Sequence, residues 1–485
     1  MDVFNRRELE KLEKTQLIEI IQMLAGQTKV LASEVKMLAG EVSELKARLN
    51  TNSGNSSQPP SSDGPGVPKA KSQRERSGLK VGGQPGHEGR GLSLGREADE
   101  TVEHRAEVCG KCGAEIGGED GTCARTSNVI DVEIAVKIVR HEQTATECPM
   151  CGATNLGEMP AEANHAMAYG PGLRAFSVLM SNYCCVGMKK IGGMLRDVFG
   201  VPISTGTVSN MNARFAERVE PIMAEIKGRA MEAPVLNLDE TGMSVKGENW
   251  WLHDASTAEL TYLTAHRKRG ADGMEAGGVV PDYVGVAVHD FWSPYFKYDA
   301  STHAMCCAHL LRELKWVDEN TKPKQEWAGE MATLLCKMKL AREECQQNGQ
   351  NAIPEHCAEQ FARRYAEILT LGDAETPYNY ESRKQTKARN LLERFIDYQD
   401  EITLFVRNFI VPFTNNQAER DVRNAKVKQK VSGAFRSDDG IANFAKISSV
   451  IGTAAKQGLS VFNTIKDIIS GNISSLFFPA SLATE

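Results

Sequence analysis

Leucine recurs every seventh residue near the start of the chain, at Leu17, Leu24, Leu31, Leu38 and Leu45. Ile21, Val35, Val42 and Leu49 each fall four residues after one of these leucines. Leucine at one seam position and β-branched residues at the other predict a two-stranded parallel coiled coil over residues 1–50. Thr28 at the second position and the helix-interior Gly26 and Gly40 weaken that seam. An amphipathic helix packed on its own protein would carry a similar stripe, but leucines in register over the whole segment favour self-association. There the pattern stops. Residues 51–100 hold Ser, Gly, Pro and basic residues with almost no large apolar side chains, which predicts a flexible basic linker. Its clusters Asn55–Asp63 and Gly82–His87 are too distinctive for a plain spacer.

Val and Ile alternate with polar residues from Asn128 to His141, as in a β-hairpin, within a small domain of residues 101–160. Residues 161–230 are helical in pattern. Ile191–Gly200 and Gly206–Glu217 flank a turn, with Ser204 or Thr205 as the cap of the second, which predicts a helix-turn-helix-like unit or plain helical packing. From Ala233 the period changes to that of strands: Val235–Val245, Asn249–Ser256 and Leu260–Arg267. A helical stretch around Gly270–Tyr283 precedes a fourth strand, Val284–Asp290. Three strands, a helix and a strand open an RNase H-like α/β fold, in which the first and fourth strands are neighbours. Residues 231–300 would then be the first part of a catalytic core. Helical periods at Leu310–Asn320, Trp327–Gln347, Glu355–Leu371 and Lys384–Phe409 predict a mainly helical insertion over 301–410, and residues 411–485 would complete the core and add C-terminal helices.

At 485 residues, about three domains are expected. No apolar run approaches the length of a membrane span, and the first residues lack the apolar core of a signal peptide, so a cytoplasmic protein is expected. Of 12 cysteines, four form the pairs Cys109-x-x-Cys112 and Cys148-x-x-Cys151. Two such knuckles supply four thiolates to one structural zinc ion, a zinc ribbon, with Cys123, His104 and His141 as possible substitutes for one ligand. A redox role fits two knuckles less well than one. The net charge of −6 argues against a nucleic-acid partner until its distribution is considered. Seven Lys/Arg stand against two Glu from Lys69 to Arg96, and seven against three Asp from Arg420 to Lys446. Both stretches could follow a phosphate backbone or could be solvated charged faces.

Three carboxylates have distinctive settings. Asp239 lies in the apolar strand that opens the α/β region, Asp290 ends the fourth strand, and Glu419 begins a basic helix in Asn415-Asn416-Gln417-Ala418-Glu419-Arg420. Two strand carboxylates and one helical carboxylate can converge on hard divalent cations, Mg²⁺ or Mn²⁺, two per active site. Without metal they would repel and raise one another's pKa. Singly, each could be a turn residue or an exposed helix pair. Arg420, Arg423, Lys426, Lys428, Lys430 and Arg436 follow Glu419, with Arg423, Lys428 and Arg436 favoured as phosphate contacts. Asp421, on a different helical face from Glu419, is expected to be dispensable. Trp250 and Trp251 read as a core residue and its neighbour, and His309 as either an orienting or a core histidine.

An ordered series of motifs resembles DDE transposases of the insertion sequence 66 family. It comprises Asn55–Asp63, Gly82–His87, the four cysteines, Leu238-Asp239-Glu240-Thr241, Arg269-Gly270, His289-Asp290 with Tyr295, His303–Leu314 (including Arg312) and Pro412–Arg436. The last contains Pro-Phe-Thr-Asn-Asn-Gln-Ala-Glu-Arg, the form of one branch. The resemblance implies that Asp239, Asp290 and Glu419 are a catalytic, metal-binding triad and that Arg312 joins the DNA contacts. It also implies that terminal inverted repeats and target DNA are the substrates of strand cleavage and strand transfer. A homo-oligomer is expected, with companion proteins of the element as possible partners. Phe291 and Ser293 depart from the pattern, being less polar or basic than expected beside Asp290. Two other readings remain: an RNase H-like nuclease or junction resolvase, and a non-enzymatic zinc-containing DNA-binding regulator.

Overall fold

A computed structural model of the chain describes residues 12–56, 63, 97–116, 123–132, 135–160, 163, 165 and 167–472, apart from the side chains of residues 43 and 44. Two compact units form: residues 71–159 with 194–202, and the remainder of the chain.

In the larger unit the heptad segment is one helix, Lys14–Leu49 (α1), started by a Glu13/Gln16 capping box. Its leucine stripe from Leu24 to Leu45 faces solvent. The segment expected to be a linker departs from that description at its start. Residues 51–56, with Asp63, fold into a tight polar knot in which Ser53, Asn55 and Ser56 are buried. The remainder of Asn55–Asp63, and Gly82–His87, lie outside the described residues.

The centre of this unit is a five-stranded mixed sheet of Val235–Val245 (β3), Glu248–Ser256 (β4), Thr261–His266 (β5), Val286–His289 (β6) and Thr302–Met305 (β7). Their order is β5-β4-β3-β6-β7, with β3, β4 and β5 antiparallel and β6 and β7 parallel to β3. The first and fourth strands of the region are therefore neighbours, as their pattern predicted. Alternation along β3 sends two sets of side chains to two faces. Met243 and Val245 pack with Leu252 against Val422, Ala425 and Ile441 of helices Asn416–Ser432 (α12) and Asp438–Lys456 (α13). Leu236 and Leu238 pack with Ala255 against Ala230 and Met274 of helices Glu220–Glu232 (α5) and Ala271–Gly277 (α6).

Helices Pro171–Val178 (α2), Met188–Phe199 (α3) and Thr205–Arg218 (α4) precede α5. Ser204 caps α4 by accepting from the Thr207 N–H at 3.0 Å. Phe215 and Ala216 of α4 pack with residues of α2, α5, α13 and the last helix, Val461–Ile469 (α14). One face of this second helix of the expected helix-turn-helix is thus core, while Ser209, Asn210 and Arg214 remain exposed.

The insertion is helical, comprising Cys307–Asn320 (α7), Glu326–Gln347 (α8), Glu355–Glu375 (α9), Lys387–Asp397 (α10) and Gln399–Arg407 (α11). Its core around Trp327, Tyr365 and Phe395 is continuous with Val288, Ala304 and Met305 of β6 and β7. The single helix expected over Lys384–Phe409 is broken at Tyr398, whose φ of −118° and ψ of 33° are not helical. The insertion's ends are stapled together: the Cys307 N–H donates to the Phe413 carbonyl at 3.1 Å, and the Asn415 N–H to Cys306 Sγ at 3.1 Å.

In the smaller unit both cysteine pairs form the same turn. The Gly113 N–H donates to the Cys109 carbonyl at 2.9 Å and the Gly152 N–H to the Cys148 carbonyl at 2.8 Å, with both glycines at positive φ. A short hairpin pairs Ala145–Glu147 (β1) with Thr154–Leu156 (β2) around the second turn. The alternating run Asn128–His141, expected to be the hairpin, forms no strand among its described residues, and Val129 and Ile138 are exposed. Alternation shapes a strand only where a partner edge and a core exist to receive it.

Candidate active site

Parallel pairing of β3 and β6 sets Val235 opposite Val286 and Asn237 opposite Val288. That constant offset of 51 (288 − 237) also relates Asp239 to Asp290, so Asp239, part-way along β3, lies beside Asp290, just past the end of β6. Asp239 Oδ1 accepts from the Glu240 N–H, and Asp290 Oδ1 from the Trp292 N–H, each at 2.9 Å. Glu419 lies in the first turn of α12. The start of that helix is fixed by buried Asn415, whose Nδ2 donates at 2.7 Å to the Leu238 carbonyl, one residue before Asp239. Glu419 Oε1 lies 3.7 Å from His309 Nε2 and 3.4 Å from Arg312 Nη2, both on α7. The structure thus brings the three sequence-selected acids into one neighbourhood.

Their electrostatics agree with that crowding. Burial raises the Asp239 pKa well above the carboxylate range, reinforced by Glu240, Asp290 and Glu419. Burial and Glu240 push Asp290 up to about 6. Burial lowers His309 to about 3, so its imidazole is neutral. Cys306 Sγ, a His309 ring nitrogen and a Glu419 oxygen lie within 4.8 Å of one another, a cluster with softer donors than three carboxylates. Asp239, Asp290 and Glu419 offer the hard oxygens suited to Mg²⁺ or Mn²⁺. In the smaller unit, N–H groups of residues 111 and 112 lower the Cys109 pKa and those of 150 and 151 lower that of Cys148, which favours the thiolate forms. Among the described residues neither the four sulfurs nor the oxygens of Asp239, Asp290 and Glu419 gather within the 4.8 Å span of the Cys306 cluster.

Several residues of the site, some of them within the motif series, had no role assigned from sequence. The Glu240 side chain is only 3% exposed and accepts from Arg269 Nε and Nη2 at 2.9 and 2.6 Å and from the Tyr295 hydroxyl at 2.6 Å. The Arg269 guanidinium also lies over the rings of Trp251 and Trp292, 4.9 and 4.1 Å from their centroids. Trp250 is core, as expected, whereas Trp251 serves this arginine. Asp254, directly across from Asp239 on β4, is buried. Asp421 is not a free surface residue: it pairs with Lys456 at 2.5 Å, both side chains being 11% exposed. The adjacent Asp239-Glu240 pair was the one visible signal for Glu240; Asp254 required the strand register.

The basic strip divides. Arg420, Arg423, Lys430 and Arg436 are exposed, Arg420 also donating to Gln417. Lys428, favoured as a phosphate contact, instead points inward, with 7% exposure, and donates to the Ser181 carbonyl at 2.6 Å. Lys426 donates to the Gly242 carbonyl. A helix that packs on a sheet turns part of any cationic stripe into its interior, where backbone carbonyls take the ammonium groups. Arg312, half-buried, faces Glu419.

These acids lie within residues 166–443, which match the family model for the transposase IS66 family. The protein is thereby placed among transposases, enzymes that act on DNA. The match spans more than half of the chain, and the chain belongs to the IS66 family. A family of unknown function (DUF6444) matches residues 5–93. No curated protein matches the chain. Among the described residues no helix is long and apolar enough to cross a membrane.

Proposed function

We propose that this protein is a DDE transposase that binds the terminal inverted repeats of its element and catalyses metal-dependent strand cleavage and strand transfer. The observation that carries the reading is the convergence of Asp239, Asp290 and Glu419 from β3, the end of β6 and the first turn of α12. The sheet order, antiparallel for its first three strands and parallel thereafter, supports an RNase H-like core. Divalent cations held by these carboxylates would neutralise phosphate charge and lower the pKa of an attacking oxygen. Asn415 and Arg312 hold Glu419 in reach of the two aspartates, while Arg269 fixes Glu240 beside them. In the first step a water oxygen bonds to phosphorus and the bond to the 3′-oxygen breaks, leaving a 3′-hydroxyl on the element. In the second, that hydroxyl attacks target DNA and exchanges one phosphodiester for another. Exposed Arg420, Arg423, Lys430 and Arg436 would carry phosphate contacts. The α1 stripe would pair with a second copy, and the two knuckles would share one zinc ion.

Oligonucleotides bearing an element end, incubated with Mg²⁺ and plasmid target, test the reading. Joined products that disappear with Asp239→Asn are expected. Hydrolysis without joining would assign the site to a nuclease or resolvase, and binding indifferent to loss of Asp239 without any cleavage would assign it to a regulator.

A further inference from the structure

The knot after α1 has a definite partner. Asn55 Nδ2 donates to the Asn50 carbonyl at 2.9 Å and to Glu319 Oε2 at 3.1 Å, while its Oδ1 accepts from the Asn52 N–H at 2.8 Å. Asn52 Oδ1 accepts from the Gly54 N–H at 2.8 Å, and the Asp63 carboxylate accepts from the Ser53 N–H at 2.8 Å. Thr51 Oγ1 accepts from Trp316 Nε1 at 3.0 Å and donates to the Ala47 carbonyl at 2.9 Å, inside α1. Lys387 lies 4.0 Å from the centroid of the Trp316 ring. A buried carboxamide with both its donor and its acceptor used is costly to assemble by chance and costly to break.

The partner surface lies on α7. Residues 309, 312, 316 and 319 fall on one helical stripe, so the helix that presents His309 and Arg312 to Glu419 presents Trp316 and Glu319 to the knot. We propose that the Asn/Ser knot is a docking element that locks α1 to α7, with Trp316 and Glu319 as its receptor and Asn55 as its key. Association of two copies through α1 then fixes where each copy's α7, and the core that carries Glu419, lies relative to its partner's, which couples joining of paired ends to assembly. Thr51, Asn55, Trp316 and Glu319 are positioning residues, not catalytic ones. The coupling rests on the transposase mechanism proposed above; the docking does not.

Two measurements on the full-length chain separate these parts. In hydrogen exchange, the amides of Asn52, Ser53 and Gly54 should lose protection by about tenfold or more in Asn55→Ala, Glu319→Ala and Trp316→Phe, the scale of one lost hydrogen bond, charged or neutral. The double variant Asn55→Ala/Glu319→Ala should lose less than the product of the single losses. In joining assays, Asn55→Ala should keep the oligomeric mass and nick single ends within about twofold of wild type, yet join paired ends at least about tenfold less. Unchanged exchange in both α7 variants would overturn the docking. Paired-end joining within about twofold of wild type, with the knot shown to be released, would overturn the coupling. Wild-type protein that joins nothing would sink the transposase mechanism and the coupling with it, while the exchange data would still decide the docking.

Discussion

The proposed catalytic carboxylates and the cysteine knuckles are both sets of candidate metal donors, and the chain builds them in opposite ways. Asp239 and Asp290 sit on strands packed on both faces, and Glu419 is tied to them by a buried asparagine bonded to β3. Each knuckle is shaped by its own backbone turn and the short strand pairing that flanks it, and most described side chains around it are exposed. Protein packing therefore supplies the geometry of the first site and holds like charges together against their repulsion. In the second, gathering four thiolates must itself supply the folding energy. Metal should control chemistry in one region and structure in the other.

The largest expected effect tests the first half of that contrast. Glu419→Gln should lower cleavage and joining by about a thousandfold or more while leaving the thermal midpoint nearly unchanged. An unfolded variant would show that the carboxylate supports the sheet, not the reverse. Chelation of zinc, or Cys148→Ser, should open residues 101–160 to protease, with a stake of about 10 kcal/mol for a structural zinc site, and spare the sheet. Elemental analysis finding no zinc in the purified protein would remove that half of the contrast.

Asp421→Asn, which looked harmless from sequence, should destabilise the larger unit by about 3 kcal/mol, because it takes the paired charge from the nearly buried Lys456 ammonium and leaves it only the Thr257 and Leu260 carbonyls as hydrogen-bond acceptors. Denaturant midpoints measure this, and a shift close to zero would mean that the pair is as solvated as a surface bridge. The pH response is gentler. Asp290 titrates near 6 when folded, above its ordinary value of 3.8, because its charged form is disfavoured. Its favourable contribution is therefore complete below pH 3.8 and is lost as pH rises through about 6. Metal-free protein should weaken across that window, and Mg²⁺ binding near pH 6 should release protons, detectable by calorimetry in buffers of different ionisation enthalpy. Binding without proton release would place the cation elsewhere. Smallest of all, Arg423→Ala should reduce the salt slope of DNA binding by about one, whereas Lys428→Ala should leave the slope alone and lower stability. The reverse pattern would mean that α12 presents its other face to DNA.

Much of this was legible in the sequence, for reasons that also explain the failures. Apolar runs bounded by turns marked β3 to β6, and their order brought Asp239 and Asp290 together before any distance was known. Glu419 stood out because its run Asn415–Arg420 opens a basic helix inside the Pro412–Arg436 motif that resembles the insertion sequence 66 family. Direction was not visible. Lys426 and Lys428 have the composition of surface cations, and only the packing of α12 on β3 turns them inward. Glu240 looked like the neighbour of an important residue because sequence does not rank the two faces of a strand. The knot at residues 51–56 looked like linker because its burial is polar, and hydropathy carries no trace of a satisfied asparagine. In the smaller unit, Asn128–His141 shows the opposite error, a strand-like pattern with nothing to pair with.

The stapling of Cys306 and Cys307 to Asn415 and Phe413 has a consequence for tolerance of insertions. A loop closed at its base exerts little leverage on the scaffold to which it is grafted, and its closure cost grows only slowly with length. Beyond α7, lengthening the exposed turns between α8 and α9 or between α9 and α10 should therefore leave the aim of Glu419 unchanged. Asn415, bonded to the Leu238 carbonyl, is the pivot that holds that aim.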